Sequence, residues 1–86
     1  MKDYNPQWYS AMAYALVFQQ RFLAHAVNAM GENGISLEQY GPLDAVNAVV
    51  VLDREATEAD ALHAQQILWD DAGVDSVEVT QVPLDE

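Results

Sequence analysis

Residues 7–30 read QWYSAMAYALVFQQRFLAHAVNAM, and the period assigned to this stretch decides the fold. It holds six alanines and no Gly or Pro, which favours a helix. Asn5 can cap its start, Pro6 suits the first turn, and Gly31 offers a C-terminal stop. On a helical wheel Ser10, Arg21, His25 and Asn28 share one narrow polar stripe. Tyr9, Met12, Leu16, Leu23, Val27 and Met30 form one apolar face, and Ala11, Ala15, Phe18, Phe22 and Ala29 form a second beside it. A helix apolar around most of its girth is usually buried on more than one side.

Downstream, the pattern changes to short elements. Residues 31–44, GENGISLEQYGPLD, carry the Gly and Pro of a loop, with enough alternation in ISLEQY for a strand over 35–40. Residues 45–52, AVNAVVVL, end in an unbroken apolar run, the mark of a strand covered on both faces. Residues 57–72 read as a second helix: Thr57 and Asp60 approximate a capping box, and Gly73 stops it. Its expected buried arc is Ala61, Leu62, Ala64, Leu68, Trp69 and Ala72, with Asp60, His63, Gln66, Asp70 and Ile67 facing water. Residues 75–82 alternate as an edge strand that Pro83 ends.

The expectation is an α+β fold in one domain, 1–86. A long N-terminal helix, 7–30, packs on a small sheet containing a βαβ-like unit: strand 35–40, strand 45–52, helix 57–72 and strand 75–82.

Composition limits the function. The 86 residues are 51% hydrophobic and 20% charged, a globular balance, and include no cysteine for disulfides, thiolate metal sites or nucleophiles. The N-terminus lacks the pattern of a signal peptide, and the longest apolar run near it, Ala11 to Phe18, falls short of the ~20 residues of a membrane span. A cytoplasmic location is the expectation. Net charge is −11. Residues 1–31 hold Asp3 against Lys2 and Arg21, while residues 32–86 hold every other acid against Arg54 alone. Three cations in all argue against direct nucleic-acid binding and against anionic membranes. The acidity favours a basic partner instead.

Carboxylates crowd residues 49–60, VVVLDREATEAD, where Asp53, Glu55, Glu58 and Asp60 follow a strand end. The stretch lacks the Gly and final Glu of a calcium loop, and Glu58 and Asp60 diverge on a helix, so no metal and no cofactor is assigned. Glu58 and Asp60 are explained by the positive end of the helix dipole. Asp70 and Asp71 sit at the opposite end of that helix, where the dipole disfavours them, and Asp75 and Glu78 follow. Nothing here matches a nucleotide-binding loop, a serine triad or a histidine metal pair. A metal-dependent enzyme using Asp53 and Glu55 ranks last, and a non-enzyme first.

Two functional expectations follow. In the first, the chain binds a basic nucleic-acid-binding protein through Asp60, Ile67, Asp70, Asp71, Asp75 and Glu78. In the second, it self-associates as a homodimer through Phe18 and Phe22 of the first helix. In size, acidity and lack of catalytic signature the whole chain resembles the small acidic inhibitors that phages encode against host defences, among them DNA mimics acting on restriction enzymes and anti-CRISPR proteins. The resemblance implies an inhibitor whose surface carboxylates stand in for phosphates.

Overall fold

The computed structural model describes residues 11–84. Strand β1 (Ala11–Gln19) leads through a 3-10 turn (Gln20–Phe22) into helix α1 (Leu23–Glu32). Strands β2 (Leu37–Pro42) and β3 (Asn47–Leu52) form a hairpin, and helix α2 (Glu58–Asp70) is followed by strand β4 (Glu78–Leu84). The sheet order is β2-β3-β1-β4, and each neighbouring pair is antiparallel. This β-α-β-β-α-β order is the ferredoxin-like, split βαβ arrangement.

The long helix over 7–30 is overturned. Its residues 7–10 lie outside the described residues, and the rest is the central strand β1, the 3-10 turn and a short helix. The physical reason lies in AMAYALVF. An unbroken apolar run fits a period of two as well as 3.6, and its β-branched and aromatic residues fit a strand. In β1, Leu16 and Phe18 point to the helix-covered face, while Ala13 and Ala15 point to the other. Pairing with β3 on one side and β4 on the other satisfies the backbone of β1, and that overrides the alanine preference for helix. The polar Gln19-Gln20-Arg21 step then marks where strand gives way to helix, and the Gln20 amide donates to the Val46 carbonyl at 2.8 Å.

The βαβ-like unit is corrected too. β3 and β4 flank β1 and do not touch as neighbours, so the strand pair joined by α2 is split by β1. Gly31 lies inside α1, and Gly34, at φ 73°, takes the left-handed position that closes it. The Ile35 amide reaches back to the Met30 carbonyl at 2.9 Å and the Gly34 amide to Gly31 at 3.1 Å. Pro83 does not end β4 but sits within it, opposite Met12. An edge strand tolerates proline where the nitrogen faces away from its neighbour.

The main core lies between the sheet and the two helices. Leu16, Phe18, Val50 and Leu52 from the strands meet Ala26, Ala29 and Met30 of α1 and Ala61, Ala64, Ile67 and Leu68 of α2. Alanines on both helices allow close approach of helix to sheet. A second cluster, Ala13, Ala15, Val51 and Leu84, occupies the other face of the sheet, and no described helix residue belongs to it. No helix among the described residues is long and apolar enough to cross a membrane.

Candidate functional site

The candidate surface is built on α2. Its start is fixed by a reciprocal capping box: the Asp60 amide donates to Thr57 Oγ1 at 3.2 Å, and the Thr57 amide donates to Asp60 Oδ2 at 2.9 Å. Asp60 is therefore engaged in the cap. Just before it, the Glu55 amide donates to Asp53 Oδ1 at 3.1 Å. Asp53, Glu55, Asp60 and His63 border a half-open concavity of about 290 Å³, with Ile35 and Leu52 on its apolar side. That is at the low end of ligand pockets, ~300 Å³. Among the described residues no three His, Asp or Glu side chains are grouped to hold a metal.

Beyond the first turn of α2 the remaining acidic candidates fall on separate elements and do not share one face: Glu78 alternates with Val77 and Val79 of the helix-side core and so points to the opposite face of the sheet. Asp70 Oδ2 accepts from Gln66 Nε2 at 2.9 Å, and Asp71 Oδ2 accepts from Asn33 Nδ2 at 3.1 Å. Asp75 lies in the connection to β4 and Glu78 opens that strand, both exposed. Asp60 stands ten residues earlier, about 15 Å along the helix axis. The acidic candidates thus divide into Asp70 and Asp71 at the end of α2, Asp75 in the connection, Glu78 on the far face of the sheet, and Asp60 in the cap.

The apolar candidates fall differently from the expectation. Ile67, assigned to the exposed face, is buried at 6% exposure, because α1 packs against that flank of α2. Leu62 and Trp69, assigned to the buried arc, are 51% and 43% exposed. They lie on the opposite flank, seven residues or about two turns apart, on either side of Gln65. Gln65 Nε2 donates to the Val77 carbonyl at 2.8 Å, which sets this flank toward β4. Sequence reasoning missed this pair because both flanks of α2 carry apolar residues. Only the alanines at 61 and 64, which mark the closest approach, favour one arc centre over the other.

The proposed self-association residues are also accounted for. Phe18 is enclosed in the core at 2% exposure. Phe22 is half-buried against that core, with the Arg21 guanidinium 4.8 Å above its ring. The aromatic face of a long helix therefore does not exist as such. Exposed apolar side chains occur instead in the β2–β3 turn, Leu43 and Val46, and on β2, Tyr40. Asp44 ties that turn. Its Oδ1 accepts from the amides of Asn47 and Val46, both at 2.8 Å, and its Oδ2 from Asn47 Nδ2 at 3.3 Å. These donors, the Asn47 amide foremost, hold its carboxyl below the ordinary carboxylate range.

No protein-family model matches the chain, and no curated protein matches it. Among solved structures, the chain is similar in fold to part of Escherichia coli aspartokinase III, crystallised in complex with lysine and aspartate in its T-state. The TM-score is 0.56 at 21% sequence identity, over 85% of this chain and 19% of that enzyme. The chain therefore spans about a fifth of that protein, and the likeness is one of fold.

Proposed function

We propose that the chain is a non-catalytic acidic module that binds and inhibits a basic nucleic-acid-binding protein in the cytoplasm. Asp70, Asp71, Asp75 and Glu78 would occupy a surface that otherwise grips phosphates, as in the phage-encoded inhibitors the chain resembles. One observation carries this reading. Of the fourteen acids, Asp3, Asp85 and Glu86 lie outside the described residues, and each of the remaining eleven is exposed. The cations among the described residues are Arg21 and Arg54. Arg21 rests on Phe22, Arg54 pairs with Glu38 at 3.3 Å, and neither belongs to α2 or the connection to β4. Like charges concentrated in this way cost stability unless something opposes them, and a basic partner does.

The test is capture of partners from a bacterial lysate at ~50 mM and ~500 mM salt, with and without duplex DNA, since exposed pairs are screened at high ionic strength. The expected result is a nucleic-acid-binding protein held at low salt, displaced by DNA, and lost from the Asp70→Lys/Asp71→Lys variant. Capture that ignores salt, DNA and the charge reversal would refute the reading.

A further inference from the structure

The strand β4 is an edge of the sheet, and among the described residues only β1 pairs with it. Pro83 fixes the phase of that edge. Its missing N–H is tolerated because the position faces away from β1, and residues two and four earlier, Gln81 and Val79, share that direction. Among the described residues their N–H and C=O groups therefore form an unpaired ladder along the outside of the sheet. The flank of α2 that carries Gln65 meets the entry to β4 through the bond from Gln65 to the Val77 carbonyl, and Leu62 and Trp69 are exposed on either side of Gln65. Exposed acids stand on the neighbouring segments: Glu58 one turn before Leu62, Asp75 in the connection, and Glu78 at the strand's first residue, turned to the face away from α2.

We infer that β4 and this flank of α2 form a groove that takes an extended basic segment of the partner as a fifth strand. Main-chain hydrogen bonds to Val79 and Gln81 supply much of the affinity in strand addition, and alternate side chains supply the selectivity. On the helix side the incoming residues are apolar and meet Leu62 and Trp69. On the alternate positions Lys or Arg answers Glu78, whose side chain leaves the face of the sheet away from α2. Charge chooses this occupant over a second copy of the chain, which would bring the same acids to the same edge. The inference rests on the proposed function and names the partner's recognition element.

The experiment uses the full chain and a fluorescein-labelled ten-residue peptide alternating Lys and Val, followed by anisotropy at low salt. Two further peptides carry N-methyl groups on all Lys amides or on all Val amides. In a strand, alternate amides point to opposite edges, so one methylated phase is expected to lose about tenfold or more in affinity while the other keeps it. Trp69→Ala is expected to weaken the parent peptide by a similar factor, as for a truncated aromatic anchor. Equal binding of all three peptides, unchanged by Trp69→Ala, would overturn the groove and leave a purely electrostatic surface standing. No binding of any peptide at low salt would remove the basic-partner reading together with the groove. A salt-insensitive dimer of the chain that Trp69→Ala dissolves would give the edge to a second copy and overturn the inference.

Discussion

The two flanks of α2 carry similar side chains and meet different fates. On one, Ala64, Ile67 and Leu68 are sealed against α1 and the sheet. On the other, Leu62 and Trp69 stay about half exposed beside an unpaired strand edge. Hydrophobicity does not separate them, since Leu appears on both. What separates them is the neighbour: α1 and the sheet lie against the first flank, and the sheet stops at β4 beside the second. An exposed large apolar pair near an open edge is a combination that proteins usually avoid.

A matched pair of truncations can break that contrast. Leu68→Ala removes a fully buried side chain and is expected to cost about 2–5 kcal/mol of unfolding free energy. Leu62→Ala, with half its surface in water, is expected to stay within ~0.5–1 kcal/mol of the parent. Urea denaturation of both variants measures the difference. In a domain of this size the larger loss is a substantial share of the total stability. Similar losses at both positions would mean that Leu62 is already covered, and the open flank would be gone.

How much of this was legible in the sequence follows from the same contrast. The second helix, its capping box at Thr57 and Asp60, the strand ending at Leu52 and the edge character of the last strand all read correctly, since each has a local signal. The first strand did not. In AMAYALVF both faces are apolar, because β1 is central in the sheet, and burial on both faces erases the alternation that would reveal a strand. The misjudged arc of α2 has the same origin one level up. Where the sheet ends and where α1 lies are long-range facts, and they decide that Ile67 is covered and Trp69 is not. The exposure of the acids over 70–78 was legible because charge needs no partner to be read, but the face each one takes was not. The exposed apolar pair was not legible either.

Capping sharpens the comparison, since it acts on α2 as a whole and favours neither flank. Thr57→Ala removes the acceptor for the Asp60 amide and leaves the bond from the backbone amide of residue 57 to the Asp60 carboxylate in place. The expected loss is about 1 kcal/mol. Peptide binding measured on the remaining folded protein is expected to be unchanged. A Thr57→Ala variant that keeps its stability but loses binding would show that the cap itself, Thr57 with Asp60, belongs to the contact surface.

The smallest effect lies away from α2, in the β2–β3 turn. Asp44 accepts from the Asn47 and Val46 amides, which hold its carboxyl below the usual range in the folded chain. A group depressed in this way contributes stability above its unfolded value, ~3.9, and loses that contribution as pH falls through the lower folded value. Asp44→Asn is therefore expected to flatten the stability profile below about pH 4 and leave its shape above pH 5 unchanged. This turn shares no side-chain partner with α2 among the described residues, so its effect should add to those of Leu68→Ala and Leu62→Ala without altering their difference. Chemical denaturation of the double variants between pH 3 and pH 7 checks the additivity. If the gap between the two leucine variants narrows when Asp44 is replaced, the exposure of the second flank depends on the whole sheet. The neighbour rule drawn from α2 would then have to include the hairpin that holds β2 against β3.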